Sequence, residues 1–339
     1  MTHSSKAPHI VKAQAPTRID LAGGTLDLWP LHCFFPGSVT VNAAIDLYAR
    51  VTIERRQDAE IHLHSNDSGM HVAASGLSDL NEKKGLDLLR ELVRFYSPEC
   101  GFNLTTDCAA PMGSGIAGSS ALNIALNGAL NAFTGSRYSK EKMVEIAKNL
   151  EANVIGIPTG VQDYYPALYG GLNAIKFLPQ GTKRENLNPY LAEFISRSIL
   201  CYTGKSRFSG ANNWEILKRA VEGDKAIRKG LEGIKDAALK LREAILGRDR
   251  KGIAEAISEE WKWRKGLSRG VSHPAIEKLI RAAARKGKIA AKICGAGGGG
   301  CLYAFVLEGD PMEIETALKV NGGKILPFAF VKKGLSVLF

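Results

Sequence analysis

Residues 111–122, with the sequence PMGSGIAGSSAL, constrain the fold of this chain more than any other stretch. They follow a strand-like run at residues 102–108. After them, apolar residues recur with the spacing of one helical face, at Leu122, Leu126, Leu130 and Phe133. The glycines therefore fall at a helix N-terminus, where free backbone N–H groups and the helix dipole attract anions and phosphate oxygens can approach closely.

Two familiar phosphate-binding patterns fit this loop only in part. Gly113, Gly115 and Gly118 satisfy GxGxxG, but a dinucleotide-binding unit needs a second strand with an acidic residue, and another helix follows here. The glycine spacing also matches a P-loop, yet Ser119 stands where the phosphate-binding lysine belongs. A cation must therefore come from elsewhere, and the motif alone would also suit a glycine turn that merely begins a buried helix.

Two further glycine stretches lie on either side of this loop in the sequence. Residues 15–28, APTRIDLAGGTLDL, indicate a short strand entering a glycine turn, with Arg18 on the buried side and Asp27 in the turn. Residues 292–301, KICGAGGGGC, separate two strand-like runs, which again excludes a dinucleotide-binding unit. Asp27 taken alone would also suit a turn or a helix cap.

Two carboxylates between these stretches stand out by their surroundings. Ser139 is a predicted N-cap of a helix. Its apolar stripe consists of Met143, Ala147, Leu150 and Val154. Glu151 lies beside that stripe, so it is either exposed or held by a cation. Asp163 lies in residues 156–165, GIPTGVQDYY, where Gly and Pro indicate an ordered loop and aromatic residues flank the acid.

The three glycine stretches, in this order and with these acids between them, resemble the motifs of the GHMP kinases, the superfamily of galactokinase, homoserine kinase, mevalonate kinase and phosphomevalonate kinase. Arg18 and Asp27 are in register with the first motif of its sugar-specific members, and Gln162-Asp163 resembles the GxQD segment of its heptose and fucose kinases. The resemblance implies an α+β, two-domain GHMP kinase fold. Residues 1–190 would form the N-terminal domain, similar to ribosomal protein S5 domain 2, and residues 191–339 a ferredoxin-like C-terminal domain.

The resemblance also implies an activity, ATP-dependent transfer of the γ-phosphate to a hydroxyl group, with ATP and Mg²⁺ as cofactors. The sequence around Asp27 and Gln162-Asp163 is more similar to the D-glycero-D-manno-heptose 7-phosphate kinase type than to mevalonate kinases. The expected acceptor is therefore a sugar or sugar phosphate, phosphorylated at its anomeric hydroxyl. A mevalonate-type kinase and a catalytically silent sensor of sugar and nucleotide are the alternatives.

The family's site residues carry over to the positions that match its motifs. Asp163 corresponds to the catalytic aspartate, Arg18 to the cation missing at Ser119, and Ser119 with Glu151 to the magnesium ligands. The residues expected to bind ATP are Pro111, Gly113, Ser114, Gly115, Ile116, Ala117, Gly118, Ser119 and Ser120. The residues expected to bind the acceptor are Gly24, Thr25, Asp27, Gln162, Gly297 and Gly298. Thr25-Leu26 replaces the Gly-Thr of the first motif, which leaves the local turn and one substrate contact open.

Charge and composition limit the kinds of partner that this chain is expected to have. The formal charge of +11 is spread through predicted helices. A nucleic-acid-binding protein is the remaining alternative class of function, but the basic runs here lack the interleaved aromatic residues that such a protein uses for stacking. Six cysteines without a CxxC pair favour a cytoplasmic location. No apolar run is long enough to span a membrane. A small-molecule substrate is expected, with no nucleic-acid or membrane partner, bound by a monomer or homodimer.

The periodicity predicts several elements away from the motifs. Residues 46–55 and 60–65 alternate and are expected to pair as a hairpin. Residues 212–286 are expected to be mostly amphipathic helix, interrupted at Gly247 and at His273-Pro274.

Overall fold

The structure, a computed structural model, is described for residues 8–204 and 210–339, without the side chains of residues 210–212. A tail predicted at residues 1–9 therefore lies mostly outside the described residues, as do residues 205–207 of a predicted basic loop, GKSR. The described residues form two antiparallel-rich sheets with helices packed on them, a mixed α+β arrangement.

The larger sheet contains most of the first half of the chain. Its strands are β1 (Ile10–Ala22), β2 (Val39–Arg55), β3 (Ile61–Ser65), β4 (Met70–Ala74), β5 (Phe102–Cys108), β6 (Leu172–Leu178), β7 (Gly181–Asn186) and β12 (Ser336–Leu338). The strand order is β12-β1-β2-β5-β3-β4, and β6 and β7 extend from β2. Alternate residues of β1, including Val11, Ala13 and Ala15, point into the core. The glycine turn of the first motif follows directly where β1 ends.

The hairpin predicted from residues 46–55 and 60–65 is wrong, because β5 lies between the two strands. β5 runs antiparallel to β2 and parallel to β3, so that Leu104 is opposite Ile53 on one side and Leu63 on the other. All three side chains are fully buried. Alternation identified the strands correctly, but it carries no information about which strand supplies the matching apolar face.

Helices cover one face of this sheet. They are α2 (Leu77–Leu80), α3 (Asp87–Tyr96), α4 (Gly118–Thr134), α5 (Lys140–Ile155) and α6 (Tyr164–Tyr169), whereas α1 (Leu31–Phe34) packs against helices from later in the chain. α4 packs across β1 and β2 and begins directly after the glycine loop, as its periodicity predicted. Ser139 accepts from the backbone N–H of Lys142 and caps α5, which confirms the predicted N-cap.

The smaller sheet has the order β11-β8-β10-β9. Its strands are β8 (Ser198–Tyr202), β9 (Gly287–Ile293), β10 (Cys301–Gly309) and β11 (Lys324–Ile325). The remaining helices are α7 (Ala192–Ile195), α8 (Gly210–Val221), α9 (Lys225–Leu246), α10 (Arg250–Leu267), α11 (Pro274–Ala284) and α12 (Pro311–Val320), with a 3₁₀ turn at Asn188–Tyr190. The predicted breaks at residues 247 and 273–274 are present. A further break at Gly223 was missed, where Asp224 caps α9 by accepting from Ala226 and Ile227.

The chain crosses between the two sheets more than once. The smaller sheet begins at residue 198, and the proposed boundary at residue 190 remains a prediction. The last strand, β12, returns to the larger sheet and pairs with β1. No helix in the described part of the chain combines the length and apolar character needed to cross a membrane. All six cysteines are free thiols.

Candidate active site

The three glycine motifs surround one cavity of about 580 Å³. Residues of the larger sheet line it, together with the loops that follow α5 and β9. Among the lining residues are Arg18, Asp27, Ser119, Glu151, Asp163 and Gly295. Residues that lie up to 278 positions apart in the sequence, Arg18 and Ala296, therefore share one site.

Arg18 and Asp163 form an ion pair at the centre of this site. Arg18 Nε donates to Asp163 Oδ1 over 2.8 Å, and Nη2 lies 2.7 Å from the same oxygen. Both contacts reach Oδ1, and no described residue donates to Oδ2. The Arg18 side chain is 3% exposed, whereas that of Asp163 is 26% exposed, so the carboxylate faces the cavity while its partner is fixed behind it.

The same arginine is bound to the glycine loop. Arg18 Nη1 donates to the carbonyl of Gly115 over 2.7 Å, and the backbone N–H of Arg18 donates to the carbonyl of Ile116 over 3.0 Å. Gly113 and Gly115 have positive φ angles of 67° and 73°, which glycine adopts without strain, and Ala117 follows at 63°. The guanidinium thus places positive charge beside a loop that leads into the N-terminus of α4.

Glu151 lies on the opposite side of the loop, buried beneath the start of α4. Ser119 Oγ donates to Glu151 Oε1 over 3.0 Å, and the Tyr164 hydroxyl donates to Oε2 over 2.6 Å. Burial raises the pKa of Glu151, and Asp163 adds to the rise. No cation among the described residues pairs with this carboxylate.

These donors fit a magnesium ion by their chemistry. A carboxylate and a hydroxyl at the cavity wall are the oxygen ligands that Mg²⁺ takes together with water and substrate phosphates. A buried carboxylate without a cationic side chain is costly unless a cation joins it. Within the described residues there is no group of three or more acidic, histidine or cysteine side chains that would form an all-protein metal cage.

Asp27 lines the cavity beside Gln162. Its Oδ2 accepts from the backbone N–H of Gln162 over 3.1 Å, and Gln162 Nε2 lies 3.5 Å from Oδ1. Any side chain at Gly160 would overlap the Asp27 carboxylate, so glycine is required there. Burial and then the negative charge of Asp163 raise the pKa of Asp27 to about 7.

The third motif contributes a wall to the cavity through its first residues. Gly295 and Ala296 line the cavity, whereas Gly297 and Gly298 lie against Val271 and the Gly298 N–H donates to its carbonyl over 2.7 Å. Gly300 approaches the second motif so closely that a Cβ would lie 2.5 Å from the carbonyl oxygen of Ser114. These glycines allow two loops to touch through their backbones.

Comparison with known proteins decides what kind of site this is. The model of the GHMP kinases N terminal domain matches residues 83–171, and the model of the GHMP kinases C terminal region matches residues 241–322. Together they match half of the chain, in the order in which the family has them. The chain belongs to the GHMP kinase family. It is therefore a phosphotransferase that acts on a hydroxyl group, and ATP is the phosphate donor that the family uses.

Individual GHMP kinases are similar to this one along nearly its whole length. A D-glycero-alpha-D-manno-heptose 7-phosphate kinase of Campylobacter jejuni is 28% identical and covers 96% of this chain and 98% of its own. A mevalonate kinase of Pyrococcus abyssi is also 28% identical, over 97% of this chain and 98% of its own. The crystal structure of a D-glycero-D-manno-heptose 1-phosphate kinase from Bacteroides thetaiotaomicron has a TM-score of 0.76 at 25% identity, over 97% and 99% of the two chains.

Three side chains near the site of this GHMP kinase escaped the sequence analysis. Tyr164 holds Glu151, and Asn213 and Arg264 contact the hydroxyl of Thr25. Tyr164 directly follows Asp163, and the aromatic residues beside that aspartate could have indicated that Tyr164 belongs to the site. No sequence signal pointed to Arg264, because the sequence of an amphipathic helix does not distinguish a buried arginine from one on the solvated face.

Proposed function

We propose that this GHMP kinase transfers the γ-phosphate of ATP to the anomeric hydroxyl of a sugar or sugar phosphate of the heptose 7-phosphate kind. The observation that carries the proposal is the Arg18–Asp163 ion pair, because it joins a carboxylate facing the cavity to the loop at the start of α4. The names of two similar proteins support a heptose acceptor, one naming its 7-phosphate and the other its 1-phosphate.

Asp163 is proposed to hold the acceptor hydroxyl and to accept its proton. Arg18 fixes Oδ1 from the buried side, which leaves Oδ2 for the hydroxyl. The carboxylate is thus oriented before the acceptor binds, and phosphoryl transfer depends above all on such positioning. Asp27 and Gln162 would bind further hydroxyls of the acceptor, with Gly24 and Thr25 shaping that end of the cavity.

The triphosphate is proposed to lie along residues 111–120. The glycines let phosphate oxygens approach the backbone N–H groups, and Arg18 supplies positive charge through its contact with Gly115. Ser119 and Glu151 would hold magnesium, which when bound neutralises charge on the β- and γ-phosphates. A carboxylate buried beside Ser119 supports this assignment.

A substrate panel tests the proposed acceptor. Purified enzyme is incubated with ATP, Mg²⁺ and, separately, D-glycero-D-manno-heptose 7-phosphate, free hexoses, fucose and mevalonate, and ADP release is followed by a coupled assay. We expect acceptor-dependent ADP formation with at least one sugar, and phosphorus NMR of that product should show a phosphate at the anomeric carbon. Turnover of mevalonate alone would establish the mevalonate-type alternative, and binding of sugar and nucleotide without turnover would establish a silent sensor.

The remaining properties are proposals that follow from this function. Free cysteines in a small-molecule kinase suit a cytoplasmic location. We expect the enzyme to act as a monomer or homodimer, and we expect no nucleic-acid or membrane partner. Filter binding to DNA and RNA at physiological salt should show no retention, and retention there would favour the nucleic-acid alternative.

A further inference from the structure

Four charged side chains are buried behind the first glycine motif and form one continuous network. Lys292 of β9 lies 3.2 Å from Asp20 of β1 and 3.0 Å from Glu260 of α10. Arg264, one turn further along α10, donates through Nε to Glu260 over 2.7 Å. The four side chains are between 0% and 2% exposed. Two positive and two negative groups therefore balance one another in the interior.

The network ends on the turn of the first motif. Arg264 also holds that turn, because Nη2, which lies beside Glu260 as well, donates to the carbonyl of Gly24 over 2.9 Å and Nη1 donates to the hydroxyl of Thr25 over 3.2 Å. The N–H donors of the planar guanidinium are spread over three nitrogens and reach these three partners at once, whereas an ammonium group has all its donors on a single nitrogen. A Cβ at Gly24 would lie 3.0 Å from Arg264 Nη2, so the turn also packs tightly on the arginine.

The turn needs such support because Thr25 is in an unfavourable backbone conformation. Its φ angle is 75°, in the left-handed region that a β-branched residue rarely adopts. Such a conformation persists only where the surrounding structure over-determines it. Here the Thr25 hydroxyl accepts from Arg264 and donates to Asn213 of α8 over 3.2 Å. Thr25 stands at the position where the sequence motif leads one to expect glycine.

The consequence for the site is the placement of Asp27, two residues further on. Its carboxylate reaches the cavity only if the turn directs the chain toward Gln162. None of the four network residues lines the cavity, but Arg264 holds Gly24 and Thr25, which do line it.

We infer that the network of Asp20, Glu260, Lys292 and Arg264 is a positioning device for acceptor binding, and that it acts through the grip of Arg264 on Gly24 and Thr25. This inference rests on the proposed function, in which the acceptor lies against Asp27. The charges come from β1 in the larger sheet, from β9 in the smaller sheet and from α10. The affinity for the acceptor therefore depends on how the two sheets are positioned relative to each other.

The test is the variant Arg264→Lys, which keeps a positive charge near Glu260 but loses the fork that holds the turn. With the best acceptor of the panel, we expect its KM to rise about tenfold, while the KM for ATP stays within about twofold and kcat within about threefold. The matched control is Arg250→Lys in the same helix, at a half-exposed arginine that pairs with Glu193, and it should leave all three parameters unchanged.

A double-mutant cycle separates positioning from a general loss of structure. Glycine tolerates the left-handed conformation, so in a Thr25→Gly background the turn no longer needs the arginine as strongly. Arg264→Lys should then change the acceptor KM less than about threefold. If Arg264→Lys does not fold, Thr25→Val serves instead, because it removes only the hydroxyl bonds and leaves all four charges in place. It should raise the acceptor KM without affecting the KM for ATP.

The outcomes distinguish the two proposals. A wild-type enzyme that turns over no sugar would overturn the proposed function, and this inference with it. An active wild type whose acceptor KM is the same in Arg264→Lys would overturn the positioning role alone. Equal KM changes in both backgrounds, or equal changes in the KM of acceptor and ATP, would also overturn it, since they indicate a merely structural effect.

Discussion

Asp27 and Asp163, two carboxylates that line the cavity, differ in their surroundings. Asp163 is partly exposed to the cavity and paired with Arg18, whereas Asp27 is 5% exposed and bound by amide N–H groups of Gln162. Two acids in contrasting environments can take different roles at one pH. This contrast is consistent with the proposed roles, in which Asp163 accepts the proton of the acceptor hydroxyl and Asp27 binds a further hydroxyl.

Replacing Asp163 tests the first assignment. Asp163→Asn keeps the shape of the side chain but cannot accept a proton, so kcat should fall by about 10²–10⁴ while the KM for ATP changes little. The coupled ADP assay with the best acceptor measures both. Asp107→Asn, at a half-exposed acid on β5, is the control and should behave as the wild type. Wild-type turnover by Asp163→Asn would remove this residue from the chemistry.

The raised pKa of Asp27 predicts how stability depends on pH. An unfolded chain releases this proton near 3.8, whereas the folded protein retains it to about 7, because burial and Asp163 oppose the charge. The contribution is therefore fully favourable below pH 3.8 and is lost as pH rises toward 7, by up to about 4 kcal/mol. Asp27→Asn avoids this loss, so its thermal midpoint should gain on that of the wild type between pH 5 and pH 8.

Urea unfolding across the same pH range measures that difference as a free energy. Asp236→Asn, at an exposed acid on α9, is the matched control and should follow the wild-type curve. If the curves of Asp27→Asn and the wild type run parallel from pH 5 to pH 8, Asp27 does not titrate in this window.

Replacing Glu151 tests the proposed magnesium site. Glu151→Gln keeps an acceptor for Tyr164 but removes the charge, so the Mg²⁺ concentration for half-maximal activity should rise about tenfold or more. Chelation with EDTA should abolish turnover of the wild type. Glu145→Gln, on an exposed face of the same helix, should leave the magnesium requirement as it is. An unchanged requirement in Glu151→Gln would place the metal elsewhere.

At the scale of elements, the loop at residues 111–120 and the third motif meet through backbone atoms. A Cβ at Gly115 would lie 2.7 Å from the carbonyl oxygen of Cys294, and Cys301 N–H donates to the carbonyl of Ser114 over 2.7 Å. Side chains at these points would push the loops apart. The glycines at these points are therefore needed for the contact between the two loops.

Alanine at two glycines of matched conformation tests this contact. Gly115 and Gly135 have φ angles of 73° and 71°, so each Ala variant has the same strain of about 1–2 kcal/mol. A Cβ at Gly135 has nothing within 4 Å, whereas one at Gly115 meets Cys294. Gly115→Ala should raise the KM for ATP about tenfold, while Gly135→Ala should only lower the thermal midpoint. Equal KM values in the two variants would exclude the contact as a determinant of nucleotide binding.

Element by element, the sequence revealed what is local and left open what is distant. Glycines, caps and alternation act within a few residues, so the start of α4 and the strand β5 could be predicted. The insertion of β5 between β2 and β3 could not, because it depends on matching apolar faces across the sheet. Arg264 could not be predicted either, since its partner Thr25 lies 239 positions away.

At the scale of the whole molecule, the end of the chain ties the two sheets together. After β11 in the smaller sheet, the chain passes β2, where Phe330 bridges Ile45, and then adds β12 to the edge of the larger sheet beside β1. Leu335 packs onto α4 at Gly128, where a Cβ would lie 2.7 Å from its Cδ1. The last strand thus covers the edge of β1 and also contacts α4.

This arrangement predicts that one leucine near the C-terminus stabilises the larger sheet and another does not. Leu335→Ala removes half-buried apolar surface from α4 and should lower the free energy of unfolding by about 1–3 kcal/mol. Leu338→Ala, three residues on in β12 and 66% exposed, should change it by less than about 0.5 kcal/mol. Urea unfolding followed by tyrosine and tryptophan fluorescence measures both variants. Because β12 joins a sheet built mostly from the first half of the chain, the loss of stability in Leu335→Ala should shift the whole unfolding transition. A separate early unfolding phase, or equal effects of the two variants, would mean that β12 is not part of the cooperative core.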